Sequence, residues 1–565
     1  MSSTTWLRNL PWLTPPGPKS KPRLPDDEYA LLPSSYPPRP LSPTFTNDHE
    51  YRFRRRRTCS FRPHTLFSRQ RLGLRRLLTL AALAFALVVS AILAQGIPPS
   101  FNDVRAYEDR LPQHRLPRHV FPPHAHDHHA HASGGSPGTE GQATRYIRFP
   151  GYLWGHGLNN VLQEALVLSH LAHASNLSYV FEDYTWSRSP LPWTLYDFAL
   201  RPTRIPLNAF IAGPTAGGPL SGDVGDDSER LGAPRAVSAR YWEEVCGGGK
   251  IRVLTSKGAP SDADGDVLLA WWRDMLSGVQ EQCIEVDSSE HDLFDRFLFG
   301  GPRFLPILDA LLASPILTAF SWSPLVHAAL LRNAMLLHPS SPPALSTSIQ
   351  PHLSSQLSLQ IPTPSAPAPP LPFLPGLIAI HLRRGDYTRH CPNLALWGAD
   401  YMGTNQHPSL PDRFAPPVGP PGLAGALHKD WGSESEKAER RAYYMAHCLP
   451  DDSEVVRRLR EVRAEYRTGA GAGGRELSRV YVLSNDGAWA LEGLRGMLEA
   501  DGWADVLASR DLVLDAEQRY VDVGVDMAIA ERAEVFVGNG FSSLSSNVVM
   551  LRMARGMPAE SNRFL

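Results

Sequence analysis

An uncharged run, Leu77–Leu93, reading LLTLAALAFALVVSAIL, constrains this chain more than any other feature. At ~1.5 Å per helical residue it extends about 26 Å, enough to cross a thin bilayer core. A buried soluble helix is the competing reading. A cleaved signal fits poorly, because 76 residues precede the run where a signal carries only a short basic leader. The flanks are asymmetric. Residues 51–76 hold ten arginines and no acid, whereas the other side mixes Asp103, Glu108 and Asp109 with Arg105 and Arg110. Positive charge stays on the cytosolic side, so the expectation is a transmembrane helix over 77–95 with everything after it lumenal. The short span suits early secretory membranes, giving a single-pass type II protein of the Golgi or endoplasmic reticulum.

Cysteine usage fits an oxidising compartment. Cys59 falls on the cytosolic side, and Cys246, Cys283, Cys391 and Cys448 fall beyond the run, an even number with no CxxC metal spacing. Three pairings are possible on paper. Cys391–Cys448 with Cys246–Cys283 is the expected one, because Cys391 follows a turn that a bridge would brace. Asn176-Leu177-Ser178 is an N-glycosylation sequon whose use stays open. A net charge of -1 argues against a nucleic-acid partner.

Prolines cluster, and the clusters divide the chain. Residues 1–76 read as a disordered basic tail and 96–141 as a stem linker, with a His-rich tract from His124 to His131 that acts as a spacer or a loose metal binder. Residues 142–338 and 376–565 read as two lobes separated by a Pro/Ser-rich insertion, 339–375. In the first lobe, apolar residues at 158, 161, 162, 165, 168, 171 and 172 make a helical stripe. In the second, strand-like 377–382, 480–484 and 535–537 alternate with helical 488–500, 516–533 and 543–555. That alternation predicts an α/β fold with parallel sheets and two Rossmann-like lobes, ligands sitting at the strands' C-terminal ends.

Three blocks carry chemistry. His381-Leu382-Arg383-Arg384-Gly385-Asp386 follows a strand directly, and arginine forks at that edge match phosphate oxygens. Local surface salt bridges are the alternative for the same pair. Gly538-Asn539-Gly540-Phe541-Ser542-Ser543-Leu544-Ser545-Ser546 runs from a strand through two glycines to a serine-rich helix start, an anion site or an ordinary N-cap. Gly155-His156-Gly157-Leu158-Asn159-Asn160 is a glycine turn that opens the first long helix. Neither GxGxxG nor a P-loop is present. Asp262-Ala263-Asp264-Gly265-Asp266 holds two Asp-x-Asp strings, read as a solvated loop rather than a manganese site because no strand is evident before it.

Together, HLRRGD after a strand, GHGLNN before a helix, and Asp526 followed by AEVFVGNGFSSLSS resemble the GDP-fucose protein O-fucosyltransferases and their fungal and plant relatives. The resemblance runs over about 145–565, concentrated in those blocks. It implies a GT-B-like pair of lobes with the donor held mainly by the C-terminal one, and inverting transfer of fucose to a protein or glycan hydroxyl without an obligatory metal. By position it implies that His156, Gly157, Leu158 and Asn159 line the donor–acceptor junction. His381, Leu382, Arg383 and Arg384 would hold ribose and diphosphate, Asp526 the guanine edge, and Ser542, Ser543 and Leu544 the phosphate. His156, Asn159 and Arg383 are the candidate catalytic residues. Some relatives carry a glutamate base where this chain has His156, and the Pro/Ser insertion is unlike the compact animal enzymes. The other readings consistent with these residues are a catalytically silent, nucleotide-sugar-binding lumenal protein and a transferase using another GDP-sugar.

Overall fold

The computed structural model describes residues 96–115 and 144–565, except 151–156, 188, 197–198, 221–233, 288–292, 295, 339–372, 416–431 and 470–475, together with 78–83, 85–87 and 90. The chain divides into two units, Met1–Leu66 and Phe67–Leu565, and the first lies outside the described residues. So do the His-rich tract and the Pro/Ser insertion up to residue 372. The apolar run is helical wherever it is described. Among the described residues no helix is long and apolar enough to cross a membrane.

The fold starts earlier than the sequence suggests. Helix α1, Asn102–Glu108, and a 3-10 turn at Pro112–Arg115 fall within the segment read as a stem. They are held because Phe101 and Leu111 are each only 1% exposed in the main core.

The N-terminal lobe is built from β1 (Tyr146–Arg148), α2 (Leu158–Ala174), β2 (Ser178–Phe181), β3 (Tyr184–Thr185) and the antiparallel hairpin β4–β5 (Trp193–Tyr196, Ala199–Pro202). It continues through β6 (Arg204–Ile205), β7 (Val237–Ser238), α3 (Ala239–Cys246), β8 (Ile251–Thr255), α4 (Gly265–Ser277) and β9 (Cys283–Asp287). Five of these strands form a parallel sheet in the order β7-β2-β1-β9-β8. The Asp-x-Asp string does have a strand before it. It follows β8 and ends as the start of α4, with Asp264 in the N-cap position.

The C-terminal lobe holds β10 (Leu374–Leu382), α5 (Tyr387–Trp397), α6 (Glu434–Cys448), β11 (Arg479–Ser484), β12 (Asp505–Ala508), α7 (Asp522–Arg532), β13 (Ala533–Gly538), α8 (Ser543–Ala554) and β14 (Asn562–Phe564). Its sheet is parallel, in the order β12-β11-β10-β13-β14. The α/β fold with parallel sheets is therefore as read from the alternation of elements. Strand order reverses between β10 and β13, so the crevice at their C-terminal ends is where such a sheet receives ligands. Both the HLRRGD block and the serine block emerge there.

β10 is central and buried on both faces, which is why it reads as a continuous apolar run. Ile378, Ile380 and Leu382 pack into one core, while Leu377 and Ala379 pack into the other, which is shared with the first lobe. The period of two then places His381 on the shared side and Leu382 on the far one.

Two disulfides form with the expected pairing, Cys246–Cys283 and Cys391–Cys448. The second ties α5 to the end of α6.

Candidate functional site

The turn after β10 separates its two arginines. Gly385 adopts φ +40°, a left-handed conformation that tightens the chain there. Arg383 is half-exposed. Its Nε and Nη2 donate to Asp386 at 3.3 and 2.8 Å, and its guanidinium lies 4.7 Å over the Tyr387 ring. Arg384 points elsewhere: it donates to the Pro450 carbonyl and, at 3.0 Å, to Asp452, with Asp486 3.9 Å away. Arg383 thus keeps partners on its own turn, and Arg384 pins the turn to the loop after α6. Asn485 accepts the Arg384 amide at 2.9 Å and fixes the same turn from β11's end.

His381 is 5% exposed, and its Nδ1 lies 2.9 Å from Ser545 Oγ. Burial, with Arg383 nearby, lowers its pKa to about 3, so the ring is neutral at any physiological pH. Leu382, expected at the donor, instead fills the opposite core at 2% exposure, because adjacent strand residues face opposite ways.

The serine block folds into a tight loop followed by α8. Gly540 is required there, since a Cβ would sit 2.3 Å from the Tyr401 ring. Asn539 knits the loop together. Its amide donates to Ser545 Oγ at 3.0 Å, its Oδ1 accepts from Phe541 N at 3.1 Å, and its Nδ2 donates to the Cys448 carbonyl at 2.7 Å. The Cys391–Cys448 bridge therefore braces both anion-side segments, α5 after Arg383 and the loop through Asn539. Ser542 takes the N-cap position of α8 without making a side-chain cap bond. The first helical amides, from Ser543 onward, have no intrahelical acceptor, and the helix dipole adds partial positive charge. Ser542 and Ser543 are buried at that end, and Leu544 is partly so. Tyr387 links the blocks by donating to the Phe541 carbonyl at 3.2 Å.

Asp526, on α7, is held by two hydroxyls. Tyr481 donates to Oδ1 at 2.6 Å and Ser509 to Oδ2 at 2.7 Å. Burial raises its pKa to about 7, opposed by those two hydrogen bonds. Tyr481 pairs with Ala379 and His381 with Leu483, so Tyr481 and His381 are two places apart on the same sheet face. The carboxylate, the neutral imidazole and the serine helix thus share one side of the C-terminal sheet.

The third block reaches this site from the other lobe. His156 lies outside the described residues. Gly157 is exposed at the N-cap position of α2, and Leu158 is buried in the core with its side chain turned inward. Asn159 is 9% exposed; Asn547 Nδ2 donates to its carbonyl at 2.8 Å and to its Oδ1 at 3.2 Å. Gln163 donates to Ser546 Oγ at 3.4 Å. The start of α2 and α8 are therefore locked together by buried amides, which leaves the Asn159 amide hydrogens as its available donors.

Tyr481, Ser509, Ser545, Asn539, Asn547 and Tyr387 are the site residues that sequence reasoning did not assign. Tyr481 carried a signal, a polar-tipped residue at an inward position of a buried strand. Ser545 and Asn539 stood within a quoted block. Ser509 and Asn547 carried none. Among the described residues no group of three or more His, Cys, Asp or Glu side chains is arranged to hold a metal.

No protein-family model and no curated protein sequence matches the chain. Solved structures do. POFUT1 in its apo form aligns with 77% of this chain and 99% of its own, at 13% identity and a TM-score of 0.35. POFUT1 in complex with GDP aligns over 75% and 99%, at 14% identity and a TM-score of 0.36. NodZ alpha-1,6-fucosyltransferase soaked with GDP-fucose aligns over 72% and 92%, at 11% identity and a TM-score of 0.30.

Proposed function

We propose that this chain is a glycosyltransferase that moves fucose from GDP-fucose to a protein or glycan hydroxyl with inversion. What carries the reading is that Arg383 and the serine-rich start of α8 lie at the C-terminal ends of β10 and β13, with the Asp526 carboxylate on the same side of the sheet beside β11 and β12. A nucleoside diphosphate needs those three things: a cationic fork, free amides for phosphate oxygens, and a recognition group for the base. A carboxylate suits guanine, whose N1–H and N2–H donors sit side by side. Neutral His381 offers a ribose hydroxyl a hydrogen bond without adding charge. The choice of fucose follows the resemblance of the three blocks.

In this reading the leaving diphosphate is neutralised by Arg383 and the α8 amides, a role that elsewhere falls to a divalent cation, so no metal is obligatory. Arg383 must share or exchange Asp386 for a phosphate oxygen on binding. His156 takes the acceptor hydroxyl's proton; in the rival reading His156 only touches the donor, Asn159 orients the acceptor and the phosphate oxygens take the proton. The two disulfides support a lumenal domain behind a single type II anchor in the Golgi or endoplasmic reticulum.

The test is thermal protection of the full chain by a panel of GDP- and UDP-sugars, followed by transfer assays with the protecting donor. Protection by GDP-fucose is expected. Protection confined to UDP-sugars would overturn the donor assignment. Binding of GDP-fucose with no transfer to any acceptor would leave a nucleotide-sugar-binding protein instead.

A further inference from the structure

We propose that the outer face of the β4–β5 hairpin sits in the lipid–water interface of the membrane that the Leu77–Leu93 run enters. Trp193 and Leu195 alternate onto one face of β4 and are 41% and 58% exposed. Leu191 and Trp186, at 64% and 37%, extend the apolar surface toward the hairpin's root. Thr194 and Arg201 share the other face, where the Arg201 charge acts on Asp522 and Tyr520, and at the strand's edge the Leu200 carbonyl accepts from Tyr520 at 3.4 Å. The apolar side is thus the one turned away from the C-terminal lobe.

The tether selects what covers it. The fold grips the chain from Pro98, which is buried, and Phe101. Only four residues separate Leu93 from Pro98, and the five steps at ~3.5 Å each reach about 17 Å at most. The hairpin's root is fastened to the helix that follows. Arg105 Nη1 donates to Asp183 at 2.7 Å, directly before β3, and β3 pairs with β6 to close the base from which β4–β5 projects. Ile97, on the tether itself, is 63% exposed. A domain held this close to a bilayer brings the hairpin within reach of the headgroups. Indole rings with one apolar and one polar edge are the side chains that settle there. The inference rests on the run being a membrane anchor and is independent of the donor assignment.

The experiment is tryptophan quenching of the full chain in nanodiscs of phosphatidylcholine and phosphatidylserine, with and without acyl-chain bromination. Wild type is compared with a Trp186→Ser/Trp193→Ser/Leu195→Ser variant, and near-UV circular dichroism verifies that the exposed substitutions leave the fold intact. Brominated lipid is expected to quench a component of wild-type emission that the variant lacks. Equal fractional quenching of the two proteins overturns the proposal and leaves the face to a protein or glycan partner. A chain that does not enter the discs overturns it together with the anchor, while protection by GDP-sugars, measured separately, is unaffected by either result.

Discussion

Donor binding by this site should depend on pH through Asp526. Burial puts its carboxyl at about 7 rather than near 3.8, even with the Tyr481 and Ser509 hydroxyls favouring the ionised form. The folded value lies above the unfolded one. This group's contribution to stability is therefore fully present below about 4 and lost as pH rises through about 7. Donor binding responds in the opposite sense. A carboxylate that accepts two guanine N–H bonds must be ionised, so below its titration point binding has to expel a proton. Each pH unit then costs about tenfold in affinity, and from pH 8 to 5.5 the Kd for GDP-fucose should weaken roughly thirtyfold. GDP-fucose is the ligand to use because its diphosphate, esterified at both ends, does not titrate in this window. His381, at about 3, is silent there too. Calorimetry at pH 6 in buffers of differing ionisation heat should register release of close to one proton on binding. Asp526→Asn should bind without pH dependence and, at pH 8, roughly ten- to over a hundredfold more weakly than wild type, the cost of losing a charged hydrogen-bond acceptor. A wild-type affinity that stays flat from pH 5.5 to 8, or an asparagine variant that keeps the slope, refutes the assignment.

The two adjacent arginines should separate cleanly. Arg383→Ala is expected to lower donor affinity by roughly tenfold to over a hundredfold by calorimetry with little change in melting temperature, whereas Arg384→Ala, which loses Asp452 and the Pro450 carbonyl, should lower stability first. Transfer activity should survive EDTA; complete loss that manganese restores would return the diphosphate to a metal. Gly540→Ala, driving a methyl into the Tyr401 ring, should destabilise by about 1–3 kcal/mol in denaturant titration and weaken donor protection with it. His156→Ala should reduce turnover by roughly 10²–10⁴ with GDP affinity nearly intact, and equal losses in both would make His156 a donor contact instead.

Local pattern carried the reading as far as local physics reaches. The stripe from Leu158 to Ala172 identified α2, because burial against a sheet imposes the helical period. It did not show that the polar side, Asn159 and Gln163, is also buried, because that side meets Asn547 and Ser546, more than 380 positions away. HLRRGD was legible as a turn at the ligand edge of the sheet, since a strand runs directly into two arginines and a glycine. Which arginine is drawn off by another element was not legible. The answer lies in Asp452 and Pro450, which capture Arg384 from another element. Leu382 was assigned to the donor by its place in a motif, yet the period of two along β10 already assigned it to the far core. The segment after the apolar run looked like linker because of its prolines and charges. Two residues, Phe101 and Leu111, are what fold its first part onto the domain.

Ser545 shows how the two anion-side blocks act as one unit. Its Oγ accepts the Asn539 amide, so its single proton remains to be given, and the near partner is His381 Nδ1 at 2.9 Å. If Nδ1 carried the proton instead, Oγ would accept twice and its own hydrogen would lie at a fully buried position with no acceptor among the described residues, a loss on the order of 1–3 kcal/mol. The arrangement that satisfies every group makes Nδ1 the acceptor, which leaves the hydrogen on Nε2 and turns it toward the crevice. Desolvation that keeps the ring neutral serves the same end, because a doubly protonated ring would again make Oγ accept twice and strand its own hydrogen. A serine at the start of α8 therefore sets the tautomer of the strand's histidine, and the same hydroxyl ties that histidine to the loop through Asn539.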